Sequence, residues 1–488
     1  MPNLTAFGAT EYMDGALTLP VLNELFLRGA PSRGRGRPSR GRALVDNYDE
    51  DRDRRRQCKD LEAVDLTGCV SAVFVNALSE FVTTHLLPPS FSDRESPEGV
   101  EKLLARASLE EPLLFPGLQR LGLRGAKSVL PHILTPFILA FPSLTHLDLS
   151  GTRATPELLE GLGGSPSIRL VSLALARCVR LTGDSIKELL VNSPVTSQLQ
   201  ELNLYGDITF VSPLSEDNLR DIFTQAPAFL NGGLTYLDLS SSPLTKDLLD
   251  DCQPFPKLRS LGISHIANLS VKVIADFILK KAMNVEVLTL IGTSPELDCG
   301  LRAGNTSVPR GSALQSSIAL HSHLIRPLCN PPFSFSLTKN TANAPPPTKL
   351  RVIELSITFL GALGAGAGNW RIIRSKGGRG WYVDTASGWV SETGSQSVLQ
   401  RDLPSNHPLR IEMERLSDAN GNVTSAVGWH ARKMEVSFGS FFLRLKVIFF
   451  SSDPARARNA RTGRRVIRRG FFRLSGMTEY TAHIYRLV

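Results

Sequence analysis

The 488-residue sequence has no uncharged apolar run of about 18 residues, so no transmembrane helix is predicted. The most apolar stretch, Phe438–Phe450, is interrupted by Arg444 and Lys446. The first residues also lack the basic start and apolar run of a secretory signal. We therefore expect an intracellular protein, in the cytoplasm, the nucleus or both.

Cysteine is scarce, with six residues in the chain, and no Cys-x-x-Cys pair or Cys/His cluster has zinc-site spacing. No nucleophile–base pair and no pair of carboxylates forms a recognisable catalytic pattern. The sequence thus predicts a non-enzymatic protein with no cofactor and no metal.

Positive charge is concentrated at the end of the chain. The formal net charge is +9, and residues 435–488 alone have an excess of eight positive charges. Within the Arg/Phe-rich tail, residues 436–488, arginine pairs occur at Arg464, Arg465, Arg468 and Arg469. Such a tail is typical of a phosphate-binding segment or a nuclear import signal, or else of a poorly ordered, solvated extension.

One pattern recurs along the chain. It consists of an apolar residue, two variable residues, an apolar residue, one variable residue and an apolar residue. Six clear copies begin at Leu118, Leu144, Leu170, Leu199, Leu234 and Leu258, and looser copies begin at Leu22, Leu61, Val285 and Leu350. The clear copies are 24 to 35 residues apart. The alternation predicts a short strand with one buried face, and such units must stack to bury that face.

A hydroxyl residue followed four positions later by an apolar residue marks the second half of each unit. These predicted helix N-caps are Thr155, Thr182, Ser215, Thr245 and Ser270. Each unit is therefore strand, loop and helix. The predicted fold class is an α/β solenoid shaped as a horseshoe, with strands on the concave side and helices on the convex side.

These repeats resemble the leucine-rich repeat family over Leu19 to about Leu355. They are most similar to intracellular eukaryotic members, namely fungal F-box leucine-rich repeat proteins and the ribonuclease-inhibitor-like group, as at Leu181–Ile186. The resemblance implies binding of a protein partner. It also implies that Cys69 and Cys178, three residues after Leu66 and Leu175, hydrogen-bond the turning backbone and are structural rather than reactive thiols. In F-box members an N-terminal box docks a ubiquitin-ligase adaptor, but no such box is recognisable before the first repeat.

Three regions are expected. Residues 1–360 form the solenoid, with disordered insertions at about 31–57, 88–100 and 295–348. Residues 369–435 form a small β-rich cap of hairpins over the end of the solenoid, with a core supplied by Trp370, Trp381, Trp389 and Trp429. An aromatic ligand-binding patch is the alternative for these four tryptophans. The basic tail completes the chain.

Side chains that alternate with the strand leucines are predicted to face the concave side. These candidate partner-binding residues are Arg120, Arg124, His146, Asp148, Glu201, Asn203, Tyr205, Tyr236 and Asp238. The alternative for each is an ordinary solvated strand residue. The favoured hypothesis is a protein-interaction module that binds its partner on this face, with a role as a substrate receptor in ubiquitination. Regulation of a small GTPase and nucleic-acid binding through the tail are the alternatives.

Overall fold

Ten short parallel strands form the spine of the structure, each paired with the next strand along the chain. They are Ala6–Gly8 (β1), Ala63–Asp65 (β2), Arg120–Gly122 (β3), His146–Asp148 (β4), Ser172–Ala174 (β5), Glu201–Asn203 (β6), Tyr236–Asp238 (β7), Ser260–Gly262 (β8), Val287–Thr289 (β9) and Val352–Leu355 (β10). The computed structural model describes residues 6–9, 11–27, 61–87, 113–297, 310–330, 346–364, 366–374, 380–384, 390–393 and 396–399.

Helices connect successive strands, and they pack against one face of the sheet. They are Leu19–Leu27 (α1), Ala72–His85 (α2), Pro131–Leu139 (α3), Pro156–Gly163 (α4), Gly183–Asn192 (α5), Glu216–Gln225 (α6), Pro227–Leu230 (α7), Lys246–Asp251 (α8), Val271–Lys281 (α9), Arg310–Ala319 (α10), Arg326–Cys329 (α11) and Ile357–Ala362 (α12). Short 3-10 turns occupy Asp14–Ala16, Pro194–Thr196 and Pro295–Leu297, and a π-helical turn occupies Leu320–Ile325.

The middle residue of each strand faces the helices and lies in one continuous apolar core with them. Neighbouring strands pair in an unbroken register, so that Leu121, Leu147 and Leu173 lie side by side. Because strands are about 4.8 Å apart while packed helices need about 10 Å, the strand side is the shorter, concave side. The predicted α/β leucine-rich repeat solenoid is confirmed.

Most predicted helix N-caps are also confirmed. The side chains of Thr182, Ser215, Thr245 and Ser270 each accept a backbone N–H from the first helical turn. Thr155 occupies the N-cap position of α4 but makes no such bond. The structure adds two caps that the repeat pattern did not reveal, Ser71 and Ser356.

Two expectations about element type are wrong. The loose repeat copy at Leu22 lies in α1, where Leu22 and Phe26 are buried one helical turn apart, and the first strand is Ala6–Gly8. The expected disordered insertion 295–348 is helical over residues 310–329. Its buried residues Leu320, Leu324 and Leu328 recur every four residues, a helical spacing that packs against α9. Residues 31–57 and 88–100 lie outside the described residues.

The predicted hairpin that follows the solenoid is present. Strands Trp370–Arg374 (β11) and Gly380–Asp384 (β12) pair antiparallel, and β12 also pairs with β10, so the hairpin continues the solenoid sheet. Trp370 and Trp381 are buried, and Trp370 belongs to the continuous apolar core of the solenoid. Strands Val390–Thr393 (β13) and Gln396–Leu399 (β14) form a separate two-stranded sheet. Trp389, Trp429 and the tail lie outside the described residues.

We expect Ser215→Ala to lower the free energy of unfolding by about 1 kcal/mol, because it removes the acceptor for the N–H of Asn218 in the capping box of α6. Thr155→Ala is the matched control, since Thr155 makes no capping bond, and it should change stability much less. Urea denaturation followed by circular dichroism measures both variants. Equal losses in the two would contradict the role of the cap.

Candidate functional site

Polar side chains at the third position of several strands bind the backbone of their own strand end. The side-chain Oδ1 atoms of Asp65, Asp148, Asn203 and Asp238 each accept the N–H of the residue two positions later, at 3.0, 2.9, 3.0 and 3.0 Å. Repeated use of this short bond fixes the turn that leaves each strand. The last three, all predicted partner-binding residues, are largely buried and have this structural role.

Glycine at the paired position of the next strand makes room for two of these aspartates. Gly122 pairs with Asp65, and Gly262 pairs with Asp238. A methyl group on Gly262 would lie 2.5 Å from both carboxylate oxygens of Asp238, and one on Gly122 would lie 2.7 Å from Oδ1 of Asp65. The aspartates thus lean across the neighbouring strand into space that only glycine leaves.

Tyr236, predicted to be displayed on the concave surface, is fully buried, with 0% of its area exposed. Burial raises the pKa of its hydroxyl, and the nearby carboxylates of Asp238, Glu201 and Glu354 raise it further. Arg124 opposes this effect, so charges from β10 and from the loop after β3 both act on a residue of β7. The expectation of an accessible ring at this position is wrong.

A cavity of about 200 Å³, here called the concave cavity, lies along the carboxyl ends of the strands. Its lining is Arg124, Gly125, Asp148, Ser150, Gly151, Ala176, Arg177, Asn203, Tyr205, Asp238, Thr289, Ile291 and Glu354. Burial raises the pKa of Asp148, although Arg124 and the bonds from Ser150 oppose the rise. The cavity therefore brings together five of the predicted residues, Arg124, Asp148, Asn203, Tyr205 and Asp238, in a desolvated, carboxylate-rich setting.

Three other predicted residues, Arg120, His146 and Glu201, are each the first residue of their strand. They lie in one row across β3 to β6. Arg120 pairs with His146, which pairs with Ser172, which pairs with Glu201. The Ser172 hydroxyl donates to Oε2 of Glu201 at 3.0 Å. Burial and the nearby Arg120 lower the pKa of His146 to about 4, so its imidazole is neutral near pH 7. Arg120, His146 and Glu201 are each half-buried.

Tyr205 lies at the edge of the concave face among residues that the repeat pattern did not single out. The guanidinium of Arg177 lies over the Tyr205 ring, 5.1 Å from its centroid, and pairs with Oδ2 of Asp207 at 2.5 Å. The ring of His265 meets Tyr205 edge to face, with centroids 6.5 Å apart. One sequence signal could have revealed this cluster, namely the long step of 35 residues from Leu199 to Leu234.

Next to this cluster is a second cavity, of about 220 Å³, here called the loop cavity. Its lining is Leu175, Arg177, Cys178, Val179, Ile186, Leu204, Tyr205, Gly206, Thr209, Phe210, Val211, Ser212 and Pro213. Most of these side chains are apolar. Tyr205 and Arg177 belong to both linings and form the wall between the two cavities.

The two cysteines that follow strands, Cys69 and Cys178, are structural, as the resemblance of the repeats implied. The Sγ atom of Cys178 donates to the carbonyl of Leu149 at 3.1 Å, and that of Cys69 lies 3.8 Å from the carbonyl of Ala9. Burial raises the pKa of both thiols to about 12. Thiols that stay protonated are poor nucleophiles, so neither residue is suited to covalent chemistry.

Across the described part of the chain, no group of three or more His, Cys, Asp and Glu residues is placed to hold a metal ion. Among the same residues, no helix combines the length and apolar character needed to cross a bilayer. The tail residues Arg464, Arg465, Arg468 and Arg469 lie outside the described residues.

No protein-family profile and no curated protein matches the chain. One similar solved structure is the Rad7 and Elc1 complex of yeast, with 16% identity over 55% of this chain and 65% of the matched chain, at a TM-score of 0.32. Another is an internalin of Listeria monocytogenes, with 14% identity over 48% of this chain and 55% of the matched chain, at a TM-score of 0.24. The chain thus spans less than two thirds of either one, and the likeness concerns the fold alone.

We expect Gly262→Ala to destabilise the solenoid by about 1 to 3 kcal/mol, because the added methyl group overlaps the carboxylate of Asp238. Gly361→Ala is the control, since a methyl group there meets no atom within 4 Å. Adding Asp238→Ser should recover part of the loss by shortening the opposing side chain. Chemical denaturation measures all three, and a Gly262→Ala variant as stable as the control would contradict the close approach.

We also expect the stability of the fold to fall as the pH drops below about 6.5, where His146 takes up a proton only in the unfolded chain. The loss ends near pH 4, the pKa of His146 in the folded protein. From pH 7 to pH 5, the wild type should lose about 2 kcal/mol more than His146→Gln. Urea titrations at both pH values test this, with His132→Gln, on the exposed side of α3, as the control for losing a histidine. Identical losses in wild type and His146→Gln would show that His146 titrates normally.

Proposed function

We propose that the protein is a non-enzymatic interaction module that binds a protein partner on its concave face. The observation that carries this proposal is the concave cavity, which is lined by polar and aromatic groups from strands along most of the sheet. Solenoids of stacked repeats offer extended concave surfaces suited to a polypeptide. The cavity lining supplies carboxylates, amides and hydroxyls that can bond to a partner's side chains and backbone.

The accessible edge of this face has the residue types that dominate protein interfaces. Tyr205 is half-buried, and its ring is held between Arg177 and His265. Tyrosine and arginine are enriched at binding hot spots, and tyrosine offers a large contact area with few rotamers to fix. Tyr236 is unsuited to this role because it is already buried. Tyr205 is therefore the residue whose loss should weaken partner binding most.

The narrower role that we propose is that of a substrate receptor in ubiquitination, acting with a ubiquitin-ligase adaptor in the cytoplasm or nucleus. It is supported by the resemblance of the repeats to those of F-box leucine-rich repeat proteins. Regulation of a small GTPase and nucleic-acid binding through the arginine-rich tail are alternatives that the same experiment distinguishes.

In pull-downs with the full chain from nuclease-treated lysate of the source organism, we expect Tyr205→Ala to lower partner recovery about tenfold. Tyr12→Ala is the matched control, because Tyr12 is 89% exposed and lies outside the concave face, and it should bind as the wild type does. Tyr236→Phe tests the buried tyrosine and should leave recovery unchanged. Full recovery by Tyr205→Ala, with its fold verified by circular dichroism, would contradict binding at this face.

The identity of the recovered protein separates the alternatives. Adaptor and cullin subunits would support the ubiquitination role. A small GTPase would support the regulatory role, and its rate of nucleotide hydrolysis would then be measured with and without the protein. Recovery seen only in a parallel pull-down without nuclease treatment would instead favour binding through the tail, which predicts a strong dependence on salt concentration.

A further inference from the structure

The loop of residues 206–213, inserted between β6 and α6, has a fixed shape. Oδ1 of Asp207 accepts the N–H groups of Thr209 and Phe210, both at 2.8 Å, and the N–H of Asp207 donates to the carbonyl of Phe210 at 2.8 Å. A methyl group on Gly206 would lie 2.7 Å from the carbonyl oxygen of Phe210 and 2.8 Å from the nitrogen of Ser212. A loop held this tightly presents its side chains in one arrangement, which lowers the entropy lost on binding.

That loop presents apolar side chains to solvent. Ile208 is 82% exposed and Val211 is 65% exposed, and Val179, on the loop after β5, is 64% exposed. Val179 and Val211 line the loop cavity together with Phe210. A cluster of exposed apolar side chains around a cavity is typical of a protein interaction site, because covering it removes apolar area from water.

The concave cavity lies on the other side of Tyr205, and its lining is polar and charged rather than apolar. Its lining holds three carboxylates, those of Asp148, Asp238 and Glu354, and two guanidinium groups. One of these, that of Arg177, is paired with Asp207 outside the lining. The lining together with that partner therefore has an excess of two negative charges.

We infer that the two cavities together bind a protein segment that carries a basic side chain next to a large apolar side chain. The basic group enters the concave cavity, and the apolar group enters the loop cavity on the other side of Tyr205. This inference rests on the proposed function and specifies the chemistry of its partner. The carboxylates of the concave cavity attract a cation and repel an acidic residue, so charge complementarity selects the segment.

The long stem of a lysine or arginine also suits this arrangement. Such side chains lay their methylene groups along apolar or aromatic surfaces while the charged end reaches a polar site. The Tyr205 ring lies at the edge of the concave cavity, where it can pack against that stem. The guanidinium of Arg177 is held over this ring by its ion pair with Asp207, so it remains between the two cavities.

Two full-length variants test the two cavities separately. Asp148→Asn combined with Asp238→Asn removes charge but keeps the turn, because Asn203 makes the same backbone bond with an amide. Val211→Asp places a charge at the loop cavity. The controls are Asp276→Asn, an exposed aspartate of α9, and Met283→Asp, an exposed apolar residue elsewhere.

The probe is a phage-displayed library of random twelve-residue peptides, selected on the full-length wild-type protein. We expect the enriched peptides to share a lysine or arginine within a few residues of a large apolar residue. Fluorescence polarisation with the consensus peptide should show affinity about tenfold weaker for Asp148→Asn/Asp238→Asn and for Val211→Asp, and unchanged for both controls. Replacing the basic residue of the peptide with norleucine should weaken binding to wild type much more than to the Asn variant.

The inference is overturned if no peptide is enriched, if the enriched peptides lack a basic residue, or if neither cavity variant weakens binding. Its failure is separable from that of the proposed function through Tyr205→Ala. Loss of peptide binding in Tyr205→Ala but not in the cavity variants would keep concave-face binding and refute the chemistry inferred here. Binding that is indifferent to all of these variants would refute both.

Discussion

The structure depends on the difference in width between its two layers. Strands at about 4.8 Å and helices at about 10 Å share the same repeat, so the sheet must curve, with its strand face on the concave side. This curvature crowds residues on the concave side that would be solvated on a flat sheet. Tyr236 loses all its exposure, His146 becomes too desolvated to hold a proton near pH 7, and Gly262 remains glycine because Asp238 occupies the space beside it.

The sequence predicted the solenoid well because its signals are local and repeated. The apolar middle residue of each strand and the hydroxyl caps of Thr182, Ser215, Thr245 and Ser270 are set by neighbours within one repeat. Errors arose where one segment satisfies two patterns. Leu22, Leu25 and Leu27 match the strand pattern, yet Leu22 and Phe26 match a helix as well, and burial of the helical pair decided the outcome.

The candidate site was predicted only in part, because exposure depends on contacts between repeats. Alternation along a strand predicted that Arg120, His146, Glu201 and Tyr205 share one face of the sheet, and the first three lie in one row of paired residues across β3 to β6. It could not show that Asp148, Asn203 and Asp238 would turn back to their own backbone, since this depends on a bond two residues along the chain and on curvature across many strands. Residues Arg177, Asp207 and His265 follow no periodic rule, and they meet Tyr205 only once the repeats are stacked.

The segments that depart from the repeat give this chain surface features that the regular repeat does not supply. A regular repeat supplies a generic concave surface, and any solenoid of this kind has one. The 35-residue step after Leu199 adds the loop that Asp207 holds in shape, and the loop adds an apolar cavity beside a charged one. A shared wall of Tyr205 and Arg177 makes the two cavities neighbours. A partner must then match charge on one side and apolar volume on the other, and a requirement for two dissimilar groups at a fixed separation is more selective than either alone.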